Sequence, residues 1–544
     1  MLKKVISVIL ILAVSAVLFC SCGDDDSVTM IMPIDSDPLS LDPQVVETES
    51  GKLIAANCYE GLVRLDENYK IVPGVAESWE ISSDGLVYTF HLRKDSNWRL
   101  LKSYEDVLPE GYEDNFRTQV TAYDFQFGLR RALDPATGCT DAEKFFCIKN
   151  ALKINEGKAD VKTLGVSAKD DTTLVITLSR ANPDFLRLLT LPCAMPCNEE
   201  FFRITRAKYG LDLEYTFCNG PFYLARWAED NLLMIIQNDK YKGNSKVKAG
   251  SVYFYVNDDE DSVISKFRQH SYDCIFLSDS GRKELADSKK TSYLKTENTV
   301  SGLCFNCGDS QLENVLIRKA LMMITRVNEI DLPENAESKV AGIVPDCCRF
   351  GEKSYRDAAG DASVLAYNEA MANEMIIKGM EELGTDTIDI KIICTDEFSS
   401  QMQHVIQNWQ RLLGTSIIAK VSTLSGDDFR TAVKNGNYQI AAGSITAESS
   451  SAVDTLKMFK SDSKKNIFNY SSEAFDTLID KIILTDSGNK IIEDCKAAEE
   501  MLVSEAVFCP LFSYADYMAV SEDTEGIFTL PVFESVIFLN GGHS

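Results

Sequence analysis

From Leu86 to Arg93 the chain alternates. Leu86, Tyr88, Phe90 and Leu92 stand at every second position, with Val87, Thr89, His91 and Arg93 between them. A period of two marks a strand with one buried face. Just before it, Ser83-Asp84-Gly85 has the chemistry of a tight turn, and Gly85 is free to take a positive φ. The tract from Pro73 to Arg93 therefore predicts a hairpin. Cys218 to Tyr241 predicts a second one. From Leu303 to Ile330 the pattern predicts a strand, a loop and a helix. Leu316, Ala320 and Met323 recur at helical spacing there, and Arg318 and Lys319 fall on another face.

Further along, strands and helices alternate. Tyr367 to Leu383 is helical and stops at Gly384, a natural residue just past a helix end. Ile388 to Cys394 is a buried strand. Ser399 and Ser400 are candidate caps for the next helix. Its apolar stripe is Met402, Val405, Ile406, Trp409, Leu412 and Leu413, ended by Gly414. A strand at Ser416 to Val421, a helix near Asp427 to Lys434 and a strand at Tyr438 to Gly443 follow. Units of this length imply parallel pairing through right-handed crossovers. Ser513 to Phe538 is expected to return as strands to the first half of the molecule.

The amino end has a different pattern. Lys3 and Lys4 precede fifteen nearly continuous apolar residues, Val5 to Phe19. A membrane-spanning helix needs roughly 20 residues, so this run is the core of a secretory signal. It ends in Phe19-Cys20-Ser21-Cys22-Gly23. A small residue before a cysteine resembles a bacterial lipobox, which makes Cys22 the candidate lipid-bearing terminus. The alternative is a plain secretory signal with free cysteines. No later stretch of the sequence is long and apolar enough for a second span.

Composition narrows the function. The formal net charge of −27 describes a surface that repels nucleic acid and anionic lipid heads, so no nucleic-acid partner is expected. Sixteen cysteines form no repeating framework. Cys304-Phe-Asn-Cys307 has metal or redox spacing but stands alone, and the cysteines read as small buried apolar side chains, with a structural zinc site as the alternative. Four histidines, none paired at ligand spacing, leave no metal or cofactor to expect. No nucleophile elbow, zinc-protease motif or phosphate loop is present, so no catalytic residues are assigned.

Several tracts then add a resemblance. Ser40 to Pro43 (SLDP), Tyr59 to Glu67 (YEGLVRLDE), the first hairpin, FNCGDSQLENVLIRKAL, NYSSEAFDTL and CPLF stand in the order found in the peptide/nickel-binding solute receptors of bacterial ABC importers. The sequence resembles that family over nearly its whole length. The resemblance implies a class II periplasmic-binding-protein-like α/β fold, with two major lobes, a hinge and a smaller third lobe. The expected division is a signal at 1–21, lobe I at 22–66, 178–298 and 506–544, an accessory lobe at 67–177, and lobe II at 299–505. An insertion follows Trp98, before Val120, and is expected to form a surface loop.

The resemblance also implies a mechanism and a site. Extended peptides add as a strand to exposed sheet edges, and two closing lobes exclude water. One expected edge is Glu47-Thr48-Glu49, whose acids are either ligand contacts or solvent-facing edge residues. The other runs through Gly443, Ser444, Ile445, Thr446, Ala447 and Glu448. Aligned through Ser461 to Ser463, the aspartate that pairs with the peptide ammonium in relatives falls on Glu448, which is either that anchor or an ordinary loop carboxylate. Ile445 and Ser449 replace an aromatic pair. Phe512 and Tyr514 are candidate pocket walls. The expected partners are an oligopeptide, an ABC permease with its ATPase, and a membrane held through the lipid, around a monomeric receptor. The other classes kept open are a non-peptide ligand (metal chelate, haem or oligosaccharide) and an exported hydrolase.

Overall fold

The computed structural model describes residues 28–544, apart from 106, 183, 244–245, 287, 289, 351–352, 361–364, 486–487 and 531–534. The leader and Cys22 lie outside the described residues. Two large hydrophobic cores organise the rest. One gathers apolar residues between Met30 and Cys274 with Met518 to Leu539. The other runs from Val300 to Phe512. A small third cluster, including Val263, Phe267, Ile275 and Ala519, lies beside the first.

In the first core, β1 (Val28–Ile34) is the first described strand. The first hairpin is β2 (Ala76–Ile81) and β3 (Val87–Leu92), with Trp79 opposite Phe90. Gly85 takes φ +69° in its turn, a conformation glycine adopts without a Cβ penalty. Tyr88, Phe90 and Leu92 are buried, as the alternation predicts. Two more antiparallel strands, β4 (Val166–Asp170) and β5 (Thr173–Thr177), complete the sheet in the order β2-β3-β5-β4. The second hairpin is β6 (Phe222–Ala228) and β7 (Leu232–Gln237), and β7 pairs with β8 (Ala249–Val256), which lies parallel to β1.

Two of the tracts that carry the resemblance, with the second hairpin, meet in one buried network. Arg93, at the end of the first hairpin, is ion-paired to Glu60. Tyr241 donates to the same carboxylate. Asn219 bonds both the N–H and the C=O of Glu60, at 3.1 and 2.9 Å. Burial pushes the Glu60 carboxyl up, against the opposing pull of Arg93 and Tyr241.

A sheet of seven strands links the cores. Its order is β9 (Cys274–Leu277), β15 (Phe508–Ser521), β10 (Thr291–Phe305), β14 (Ile440–Thr446), β12 (Ile388–Cys394) and β13 (Ile417–Thr423), and the short β11 (Ser338–Lys339) adds to β15. β10 and β15 cross from one core to the other as an antiparallel pair. Thr291 to Thr296 opposes Asp516 to Ser521, and Thr299 to Cys304 opposes Phe508 to Tyr514, with a register shift between Thr296 and Thr299. Residues 506–512 pack with the second core, because β15 starts inside it before crossing. A slipped two-strand crossing is a suitable hinge.

The second core keeps the predicted α/β alternation. β12 is parallel to both β13 and β14. The helices of the second core include Val315–Ile324, Glu369–Leu383, Ser399–Leu413 and Gly426–Lys434. The stripe on the third of these is buried at Met402, Val405, Ile406, Trp409 and Leu413, and Trp409 donates to Thr325 Oγ1 at 3.1 Å.

Two local expectations are corrected. Ser399 and Ser400 do not cap their helix. Phe398 occupies the cap position without a side-chain bond, and the two hydroxyls turn to Thr423 and Gln401. The insertion after Trp98 is not a mere surface loop. It buries Tyr104, Leu108, Tyr112 and Phe116. Tyr104 donates to the Thr216 carbonyl at 2.7 Å. Phe217 stacks between Trp98 and Phe201, with centroids at 5.1 and 4.7 Å. Four apolar side chains buried by one acidic loop explain why it is ordered.

Candidate functional site

β14 has an open margin. One side pairs with β10 from Thr299–Thr446 back to Phe305–Ile440. On the other side β12 pairs only at Ile440 and Ala441. Among the described strands none pairs that side of Gly443 to Thr446. Such a margin presents backbone donors and acceptors to an extended chain.

The side chains along this margin alternate. Ser444, Thr446 and Glu448 are exposed, and Gly443, Ile445 and Ala447 are buried. Ser444 bonds Ser301 at 2.6 Å and Thr446 bonds Thr299 at 2.9 Å. Glu448 is ion-paired with Lys465. Ile445 and Ala447 belong to the second core, so a ligand meets only their backbone. A side chain on Gly443 would come within 2.9 Å of the Cys304 sulfur, which keeps the strand flat against β10.

The other expected residues fall differently. Glu47 to Glu49 is no sheet edge. Thr48 caps the helix Glu49–Cys58 by accepting from Gly51 N, and Glu49 opens its first turn; a cap competes with strand pairing for the same backbone groups. Phe512 is no pocket wall. It is fully buried, held in β15 opposite Ser301 and Lys339. Tyr514 is half-buried and stands edge-on to Phe398 at 6.2 Å.

Beyond Glu448 the chain enters a cavity of about 150 Å³ between the two cores, lined there by Ser449, Ser450 and Ser451. The first core contributes Arg180, Asp184, Arg187 and Leu191, and the second adds Arg349 and Asp454. Arg349 donates its backbone N–H to the Ser450 carbonyl at 2.7 Å. The loop leading to Arg349 is clamped by Glu499, which accepts from the N–H groups of Ile343 and Val344 at 2.7 and 3.0 Å and pairs with Arg356. Across the cavity, Arg349 lies over the Tyr69 ring at 5.2 Å, and Arg187 donates to the Tyr69 carbonyl at 3.4 Å. Sequence reasoning missed this cavity. Its arginines sit in two stretches more than 150 positions apart, with no shared motif.

Eleven of the fourteen described cysteines are buried, and all fourteen are free thiols. Burial pushes the Cys304 thiol up to about 12 and that of Cys307 up to about 11. Among the described residues no group of three or more His, Cys, Asp or Glu side chains could hold a metal ion. No described helix is long and apolar enough to cross a membrane.

Two cores joined by a slipped strand crossing, with an open strand margin running into the cavity between them, define a two-lobed binding protein of the class II periplasmic type. The chain belongs to the bacterial extracellular solute-binding proteins, family 5, whose model matches residues 70–466. That is a solute-binding transport family. The chain is 25% identical over 510 residues to the dipeptide-binding protein DppE of Bacillus subtilis, covering 92% of this chain and 89% of that one. It is also 25% identical to the probable deoxycholate-binding periplasmic protein YgiS of Escherichia coli, covering 88% and 86%. The Listeria monocytogenes OppA structure bound to peptide superposes with a TM-score of 0.65 at 23% identity, covering 96% of this chain and all of that one.

Proposed function

We propose that this chain is the lipid-anchored, extracytoplasmic substrate-binding protein of an ABC importer. It captures oligopeptides between its lobes and delivers them to a permease and its ATPase. The open margin of β14 carries this reading. A peptide pairing with Gly443 to Thr446 satisfies its own backbone without any demand on its side-chain sequence. Glu448, exposed at the end of that strand, receives the peptide ammonium in a charge-assisted bond. Closure about the β10–β15 crossing covers the bound chain. The ligand leaves chemically unchanged. Cys22 carries the lipid, the receptor acts as a monomer, and it needs no cofactor.

Calorimetry with free and N-acetylated tripeptides tests the reading. Free-amine peptides are expected to bind, and acetylation to weaken them at least tenfold. Binding of neither form ends the peptide reading.

A second reading, an amphipathic non-peptide ligand, is favoured by one observation: the relative named for deoxycholate shares the same 25% identity with this chain as the one named for dipeptides. A thermal shift by deoxycholate and none by a peptide pool would select it.

A further inference from the structure

A short hairpin on the first-core side of the cavity carries a residue that its turn disfavours. Strands Val63–Leu65 and Ile71–Pro73 pair with Leu65 opposite Ile71, and Leu65 lines the cavity. Beyond them Asp66 N donates to the Lys70 carbonyl at 3.0 Å, and Tyr69 N to the Asp66 carbonyl at 2.9 Å. The Asp66 carboxylate also accepts from Asn68 N and Lys70 N, both at 2.9 Å. These bonds close a three-residue loop whose last residue takes the left-handed conformation, a place glycine usually fills. Here Tyr69 fills it, with φ +60°.

A bulky side chain in that conformation is strained, and it persists where its surroundings over-determine it. Two contacts do so. Arg187, on the helix Phe185–Leu188 of the first core, donates to the Tyr69 carbonyl at 3.4 Å. Arg349, on the second core, lies over the Tyr69 ring at 5.2 Å. The first contact uses only the backbone, which a glycine would supply as well. The second uses the ring. The aromatic face is therefore what Tyr69 adds to this turn, and its partner stands on the far side of the gap.

Arg349 is anchored independently of Tyr69. Its N–H donates to the Ser450 carbonyl at 2.7 Å, and it bridges in parallel to Ser451. Cys348 and Phe350, on either side of it, pack with the second core. The ring and the guanidinium thus join two bodies that are each held on their own. The β10–β15 crossing joins the same bodies, but no described residue of it lines this cavity. Across the same gap the acids oppose approach. Burial pushes the Asp184 carboxyl up, Arg187 pulls it down, and Asp454 of the second core adds to the upward push. A cation over an aromatic face is an attraction that offsets such a repulsion.

We propose that Tyr69 and Arg349 form an interlobe latch. They meet when the lobes close and hold the closed arrangement together away from the hinge, so that parting them is a step in reopening. The latch rests on closure about the β10–β15 crossing and not on the identity of the ligand, so a chain that binds no peptide would still show it.

Small-angle X-ray scattering of the unliganded chain tests this, with each curve fitted as a mixture of open and closed forms. Tyr69→Gly is expected to raise the open-to-closed ratio about two- to fivefold, the factor that a cation–π contact at a partly exposed site supplies. Arg349→Gln should raise it by the same factor. The double variant should open no further than either single one, because all three lose one and the same contact. Tyr69→Phe keeps the ring face and should scatter like the wild type. Should Arg349→Gln fail to fold, Tyr69→Gly carries the test alone, since glycine suits the left-handed position and leaves the bond from Arg187 in place. Scattering by Tyr69→Gly that matches the wild type overturns the latch. Opening in Tyr69→Phe as large as that in Tyr69→Gly overturns it as well.

Discussion

Lys465 closes on Glu448 in an ion pair just beyond the end of β14, with the two side chains 53% and 61% exposed. An ion pair this open contributes about 0–1 kcal/mol, so a ligand ammonium can displace it at small cost. Glu448→Ala is therefore expected to leave thermal stability almost unchanged. It should weaken free-amine peptides by about tenfold or more, the equivalent of at least ~1.4 kcal/mol. Lys465→Ala should do the reverse, tightening the same peptides by removing the competitor. Calorimetry on the two variants decides the point, and an unchanged affinity in Glu448→Ala removes the anchor.

Arg93 and Glu60 behave oppositely because both are buried, with side chains 7% and 3% exposed. Breaking a buried pair from one side strands the other charge, which costs about 3–5 kcal/mol. Arg93→Ala should lower stability by that order in urea unfolding. The double variant Arg93→Met, Glu60→Gln should recover much of the loss, since no uncompensated charge remains. A double variant as unstable as the sum of the singles would show that the pair is held for packing alone.

The insertion after Trp98 gives a third test. Tyr104 is buried, and its ring stands edge-on to Phe201 and Phe217 at 5.4 and 5.6 Å. Removing a large buried aromatic costs about 3–5 kcal/mol. Tyr104→Ala should cost that much in denaturant unfolding. A loop lying on the surface would tolerate the change with less than ~0.5 kcal/mol lost.

How much was legible in the sequence follows from the range of the interactions involved. Periodicity reports burial of one face, so the hairpin at Ala76–Leu92, the strand Ile388–Cys394 and the stripe through Trp409 could be read directly. Gly384 ended its helix because the residue's own backbone freedom supplies φ +66°. Failures came where distant contacts decide. Tyr104 is spaced like a loop residue, and only Phe201, Thr216 and Phe217, roughly a hundred positions on, make it core. Phe512 is expected as a pocket wall, yet its neighbours in the ladder are Ser301 and Lys339. Thr48 is expected on an edge, although its hydroxyl accepts from Gly51 N three residues later, a capping signature that is local to the sequence. The open margin at Gly443 to Thr446 was located by resemblance. That β12 stops pairing at Ala441 is a property of the sheet, which no local pattern encodes.

The hinge carries its own titratable lock. Glu337 accepts from Arg282 at 3.1 Å, from Lys295 at 3.2 Å and from the Tyr517 hydroxyl. Lys295 and Tyr517 are register partners on β10 and β15 before the slip, whereas Glu337 leads into β11, which pairs with β15 at Ser513 and Phe512 after it. The cluster therefore ties the two sides of the crossing together. Burial pushes the Glu337 carboxyl up, but the bonds from Tyr517, Lys295 and Arg282 outweigh it and hold the group below its ordinary 4.5. An acid held below its unfolded value contributes stability that is fully present above that value and lost as pH falls through the folded one. Glu337→Gln should then cost about 1.5–3 kcal/mol at pH 7, the scale of a hydrogen bond to a charged group. The gap between the wild type and this variant should shrink steadily as pH falls below 4.5. The melting temperatures of both proteins between pH 7 and pH 3 measure it. A gap that stays constant across that range means the carboxylate charge has no part in holding the crossing, and the ladder of β10 and β15 alone sets its stiffness.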